Sequence, residues 1–333
     1  MNPALRIGAL TVIVALLALT LWGSWAYQQF KQTPLELRDG EVLDVRRGQA
    51  IQRVVGELSA RGITRLDWRW RVYLRLNPAT IKAGEYELRP GLNPQGLLEL
   101  LASGNVKTYT FTIVEGWGFR RLLEALADDP VLEREMQMHP DSTQWLADIG
   151  LEGQHPEGWF LPETYQFVRG DSDLELLRRA HAAMRSALDE AWSKYTGGPL
   201  RSSYELLILA SIVEKETAVA SERSEVAGVF TRRLRKGWRL ETDPTVIYGL
   251  GESFDGDIRR KDLRTDTPYN TYTRRGLPPT PIALPGRETL LATAQPSDGT
   301  AMFFVADGQG GHVFSDTLAE HQVAVRKMLS TKP

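Results

Sequence analysis

Residues Ile7 to Ala26 read IGALTVIVALLALTLWGSWA, twenty positions without a charge. Inside lipid such a run has one backbone solution among single segments, because only a helix pairs all of its own N–H and C=O groups where water is absent. At the helical rise it spans roughly 30 Å, the thickness of a bilayer's hydrocarbon core. Trp22, Trp25 and Tyr27 stand at its outer end, where an interfacial aromatic belt lies. A cleaved signal peptide is the competing reading, since Ser24-Trp25-Ala26 has a small-x-small pattern; the length of the run and the bulky Trp at the cut argue for a retained anchor. Flanking charge does not orient the span, because Arg6 is balanced by Lys31 and Arg38.

The chain as a whole has ordinary globular composition: of its 333 residues, 42% are hydrophobic and 25% charged, and it has no large acidic or basic tail. A net charge of −2 supplies no electrostatic footprint for nucleic acid. There is no cysteine, which excludes disulfides, thiolate metal sites and a thiol nucleophile, although it does not fix the compartment.

Periodicity divides the chain into an anchor (1–27), a polar connector (28–41), a small module (42–108) and a larger domain (109–330). Within the module, Asp44 to Arg61 has helical spacing at Ile51, Val54, Val55 and Leu58. Trp68 to Leu76 reads as a second helix, Ala83 to Leu88 as a short strand, and Leu97 to Leu101 as a helix stopped near Gly104. Tyr109 to Val114 alternates like a strand. Helices are expected at Gly118–Ala127, Leu174–Tyr195, Tyr204–Thr217 and Ser221–Lys236, the last with Ser221 as N-cap and Gly237 just beyond its end. Met302–Val305 and His312–Phe314 read as a hairpin. Helices in the middle and strands at both ends predict an α+β fold with an N-terminal transmembrane helix.

The chemistry concentrates where the apolar run Leu206 to Val213 delivers Glu214 and Glu216 into a polar stretch. A carboxyl leaving an apolar segment is partly desolvated, which raises its pKa and lets it hold a proton near neutrality, as a general acid at a glycosidic bond must. On a helix Glu216 shares a face with Leu209, Ile212 and Val213, whereas Glu214 lies about 160° away, so spacing favours Glu216 slightly. Thr242, Asp243 and Thr245, with Tyr269, Asn270 and Tyr272, put hydroxyl, carboxylate, amide and aromatic groups on expected loops. Such mixtures bind sugars, and the same residues also make ordinary turns. Ser211 and Lys215, four apart, admit a Ser-Lys dyad as an alternative nucleophile. The basic run Arg232, Arg233, Arg235, Lys236 and Arg239 reads as a solvated helix end complementing the C-terminal dipole, or as an attractor of carboxylates. Gly308-Gln-Gly-Gly311 is a hairpin turn and not a dinucleotide fingerprint, Asp171-Ser-Asp173 lacks the rest of a calcium loop, and the five histidines have no metal-ligand spacing; no metal or cofactor is expected.

The stretch from Ser211 to Gly249 resembles the core motif of the endolytic murein transglycosylases (the MltG, or YceG-like, family). The resemblance continues through Glu157-Gly-Trp-Phe-Leu-Pro-Glu-Thr-Tyr165, Pro268-Tyr-Asn-Thr-Tyr272, Gly276-Leu-Pro-Pro279 and Phe304-Val-Ala-Asp-Gly-Gln-Gly-Gly-His312. It implies that the module is LysM-like and contacts glycan, and that the second Glu of Glu-Lys-Glu-Thr, Glu216, is the catalytic acid. Asp243 is read as a cleft residue and not as a second catalyst, and whether Asp243 or Glu222 stabilises an oxocarbenium charge stays open. The resemblance also implies that the substrate is nascent peptidoglycan, cut internally beside penicillin-binding synthases, and that the bulk of the chain is periplasmic and tethered to the inner membrane. His312 and His321 are expected to stabilise the fold. A membrane-tethered glycan-binding scaffold without catalysis is the non-enzymatic alternative.

Overall fold

The computed structural model describes residues 3–136 and 144–331, and the architecture is mixed helix and strand. The chain divides into two compact units: residues 1–109 with 167–170, and residues 110–166 with 171–333.

In the first unit helix α1 (Pro3–Gln32) carries the uncharged run. Its stretch Leu10–Gln32 is long and apolar enough to cross a membrane. The helix continues through residues expected as connector, because Phe30 is buried edge-on against Trp70 and Tyr73, with ring centroids 5.1 and 6.1 Å away. Strand β1 (Glu41–Val45) follows, then α2 (Ile51–Ala60), α3 (Trp68–Leu76), β2 (Gly84–Leu88) and α4 (Pro94–Ser103). Strand β1 pairs antiparallel with β2, Leu43 opposite Tyr86. Asp44, expected at a helix start, is therefore in a strand: Leu43 and Val45 point into the core and Asp44 points out, a period of two that a helical reading of the segment overran. Asn93 caps α4 by accepting from Gly96 N, and Gly104 closes it in the left-handed region at φ 73°. Leu43, Val54, Leu58, Trp70, Tyr86, Leu88, Leu97 and Leu101 form the sealed core.

Strand β3 (Thr108–Thr112) pairs with β4 (Thr164–Val168), and between them lie α5 (Phe119–Asp128) and α6 (Gln144–Asp148). The second unit is then built on α7 (Asp173–Ser193), α8 (Ser203–Glu216), α9 (Arg223–Arg235), α10 (Asp243–Leu250), α11 (Arg260–Arg264) and α12 (Arg287–Ala294). It ends in the antiparallel hairpin β5 (Phe303–Ala306) and β6 (His312–Ser315), followed by α13 (Leu318–Thr331). Every residue of α8 from Leu206 to Val213 is buried. A helix apolar all round has no side to give to water, so α7, α9 and α12 pack against it and enclose it. Ser202 starts α8 by accepting from Glu205 N, and the extended backbone of Thr217 ends it. Helix α9 begins at Arg223 after a single 3₁₀ turn, Ala220–Glu222. The expected cap at Ser221 is not made, because Glu222 occupies the N-cap position and turns its side chain elsewhere.

Candidate active site

Glu216 is the last residue of α8 and opens on a cleft of about 400 Å³. Its carboxyl is held in place by the Thr242 hydroxyl, which donates to Oε1. Burial pushes the Glu216 pKa upward and the charge of Asp243 adds to this; the Thr242 hydrogen bond and the charges of His312 and Arg233 oppose it. The position at a helix C-terminus, the negative end of the peptide dipoles, works in the same direction as burial. The group therefore keeps its proton to higher pH than a free carboxyl does.

Glu214 is placed differently. Its Oε2 accepts from Gly286 N, the N-cap of α12, at 2.9 Å, so it joins two helices. The Ser-Lys alternative is not assembled. Ser211 is fully buried, donates to Ile208 O at 2.7 Å and accepts from Ile282 N at 3.0 Å, while Lys215 Nζ reaches Gly116 O at 3.2 Å.

Of the residues proposed to meet substrate, the cleft surface holds Asp243 and Tyr272. Tyr272 Oη donates to Asp243 Oδ1 at 2.6 Å. Burial and the neighbouring carboxylates raise the phenol pKa, so the tyrosine keeps its proton and fixes the aspartate's rotamer. Asp243 opens α10 with Pro244 in the first turn, where a loop was expected; Thr-Asp-Pro-Thr serves a helix start as readily as a turn. Thr245 is fully buried, its hydroxyl bonded to Thr242 O and Thr271 Oγ1 at 2.7 and 2.8 Å. Thr271 Oγ1 in turn accepts from Thr242 N at 3.1 Å, so these buried threonines fix the residue that holds Glu216. Asn270 is likewise buried; its amide donates to the carbonyls of Asp262, Leu263 and Thr265 and its oxygen accepts from Tyr272 N, which shapes the turn that presents Tyr272. Tyr269 packs on Tyr248 and bonds Thr280, away from the cleft.

Other cleft residues were not legible as such. Arg233, read as part of a solvated helix end, is buried; its guanidinium donates to Met302 O at 2.9 Å and Leu240 O at 2.6 Å and lies over the Phe303 ring. It ties the segment after α9 to the start of the hairpin, so both walls of the cleft depend on it. Arg232 similarly grips Ala301 O and Ser297 O. His321 stacks on Phe303 with centroids 5.3 Å apart, and burial lowers its pKa, so it faces the cleft as a neutral ring. Glu241, also on the cleft, has φ 49°, a left-handed conformation that no other described non-glycine residue adopts. Glu222 is committed to His312, accepting from its Nδ1 at 2.7 Å and its N at 2.9 Å, and does not line the cleft. A larger groove, about 950 Å³, runs between the hairpin and α13, but its carboxylates are turned to backbone amides: Asp307 to Gln309 and Gly311, Glu320 to Asp316 and Thr317.

The site is thus a desolvated carboxyl at a helix end, facing an open polar and aromatic cleft on a mixed helix-and-strand scaffold. The sequence pattern of the YceG-like family matches residues 43–327, and the chain belongs to that family. It is similar to an endolytic murein transglycosylase of Bacillus subtilis (strain 168), 28% identical over 334 residues that cover 94% of this chain and 92% of the relative. It is also similar to an endolytic murein transglycosylase of Streptococcus pneumoniae (strain D39), at 25% identity over 97% of this chain and 65% of that longer protein. A crystal structure of a YceG-like protein from Listeria monocytogenes aligns with a TM-score of 0.56 and 28% identity, covering 85% of this chain and 98% of the other.

Proposed function

We propose that the chain is an endolytic lytic transglycosylase of peptidoglycan, cutting the bond between N-acetylmuramoyl and N-acetylglucosaminyl residues of nascent glycan strands. The observation that carries the reading is Glu216, a carboxyl of raised pKa at the head of an open cleft. The acid protonates the glycosidic oxygen as the C1–O bond breaks. Its conjugate base then removes the proton from the C6 hydroxyl of the same muramoyl ring, whose oxygen closes on C1 to give a 1,6-anhydro end. Because the nucleophile belongs to the substrate, no water need be activated, and its effective molarity is supplied by the ring itself. Asp243, held by Tyr272 on the same cleft as Glu216, is assigned in this reading to contact the sugar, as an acceptor for a hydroxyl or as a charge near the developing oxocarbenium. Thr242 aims the acid, while Thr245, Tyr269 and Asn270 support the loops from beneath.

Digestion of purified sacculi or nascent glycan, with the new ends identified by mass spectrometry, tests this. Anhydro ends are expected; reducing ends would mean a hydrolase and unchanged glycan a scaffold. Ser211→Ala is expected to keep turnover. It leaves Ile282 N without its acceptor, so about 1–3 kcal/mol of stability is lost instead. A folded Ser211→Ala protein without activity would restore the dyad.

In the same reading α1 is a retained inner-membrane anchor with the bulk of the chain periplasmic, where cleavage beside penicillin-binding synthases ends strand growth. The βααβ order of β1, α2, α3 and β2 supports a LysM-like, glycan-contacting module. Intact mass of the mature protein is expected to include residues 7–26; an N-terminus at Tyr27 would sink the anchor.

A further inference from the structure

Helix α3, Trp-Arg-Trp-Arg-Val-Tyr-Leu-Arg-Leu, turns Trp70 and Tyr73 into the core and leaves Trp68, Val72 and Leu76 exposed at 44, 37 and 64%. These three recur every four residues, one stripe along the outer face, and Leu66, 45% exposed, lies just before it. Arg71 and Arg75 flank the stripe and Arg65 precedes it; all three are exposed, and none forms an ion pair among the described residues, whereas Arg69 is paired with Asp67. The stripe begins beside the anchor: the Trp68 ring lies 6.4 Å from that of Trp22, and Trp22 and Trp25 are themselves exposed. Phe30 of α1, wedged against Trp70 and Tyr73, fixes the two helices to one another.

A contiguous exposed apolar stripe on a folded unit marks a surface that something covers. Here it is continuous with a helix apolar enough to cross a bilayer. Its residue types are those of an interfacial helix: tryptophan and branched or long aliphatic groups on one face, and arginines able to reach lipid phosphates at its edge. We propose that α3 lies in the headgroup layer of the bilayer leaflet from which α1 emerges, with Trp68, Val72 and Leu76 among the upper acyl chains and Arg71 and Arg75 on phosphates. This rests on the reading of α1 as a retained span. Its consequence is that the first unit is a second membrane contact, held flat on the surface and not swinging on a tether.

The absence of cysteine makes the test direct. Val72→Cys, Leu76→Cys, Leu16→Cys within α1 and Arg53→Cys on the exposed face of α2 each carry one environment-sensitive dye on the full chain. The proteins are reconstituted in vesicles of phosphatidylethanolamine and phosphatidylglycerol, containing lipids spin-labelled near the headgroup or deep in the chain. Positions 72 and 76 are expected to be blue-shifted and quenched by the shallow label, 16 by the deep label, and 53 by neither. Adding Arg71→Glu and Arg75→Glu to the Val72→Cys protein is expected to lower the docked-to-undocked ratio by about tenfold or more. If 72 and 76 behave like 53 while 16 is quenched, the span stands and the docking of α3 is overturned. If 16 is not quenched, the anchor reading fails and takes this proposal with it. Unchanged quenching in the charge-reversed protein would overturn the assignment of Arg71 and Arg75 to lipid phosphate.

Discussion

Glu216→Gln is expected to abolish release of anhydro-ended fragments, with a rate loss of about 10²–10⁴-fold, while fold and glycan affinity persist. Glutamine has the size of glutamate and still accepts from the Thr242 hydroxyl, but it cannot deliver a proton to a leaving oxygen or take one from a C6 hydroxyl. The wild-type pH profile of kcat/KM carries the second half of the prediction. Burial is the largest influence on Glu216, so its pKa lies above the ordinary 4.5. Only the protonated form can begin the reaction, so activity should fall as pH rises through that elevated value. The limb should be missing from whatever activity remains in Glu216→Gln. A wild-type limb at or below the ordinary value would mean a solvated acid, and the physical case for Glu216 would be lost.

Glu157 offers the largest expected effect on stability. It is buried, accepts from Phe119 N through both oxygens at 2.9 and 3.1 Å, and receives the Tyr248 hydroxyl at 3.2 Å. Those donors, one at the start of α5 and one on α10, favour the charged form, but burial outweighs them and raises the pKa from 4.5 to about 7. The folded protein therefore holds this proton more tightly than the unfolded chain does. The contribution is full below pH 4.5 and is lost as pH rises toward 7, a swing of about 3 kcal/mol. Glu157→Gln removes the titration while keeping an acceptor for Phe119 N. Denaturant unfolding of both proteins at pH 5 and pH 8 is expected to show the variant gaining on the wild type by about that amount at the higher pH. A difference independent of pH would show that Glu157 titrates normally.

The elements legible in the sequence are those whose pattern is local. The run Leu206–Val213 is apolar at every position but Ser211, so a central buried helix follows from composition; which of the two carboxylates at its end is desolvated does not, since spacing favours Glu216 only slightly. The hairpin around residues 307–311 follows from its glycines and Asp307. Strand β1 was hidden because its five residues run straight into a helical pattern, and α10 because its opening residues also spell a turn. Beyond Glu216, Asp243 and Tyr272, the cleft wall could not be read in advance. Arg233, Phe303 and His321 are separated by up to 88 positions and are individually ordinary; only the folding of the hairpin and α13 onto the end of α9 gives them a common surface. A buried arginine looks like any other in a basic run until its carbonyl partners, Met302 and Leu240, come into place.

Because the central run of α8, Leu206–Val213, has no face of its own in water, the helix has little reason to persist before its neighbours arrive. Its amides should exchange only through opening of the whole second unit, placing it in the slowest class of protons in that unit. The proton affinity of Glu216 is then a property of the assembled unit and not of the segment that bears it. A nascent, frayed or partly unfolded chain exposes the carboxylate, returns its pKa to that of a free side chain, and cannot protonate a leaving oxygen. For an enzyme whose substrate would be the wall that resists turgor, cutting power would be switched on by the same cooperative transition that completes the fold, and every misassembled copy would be inert.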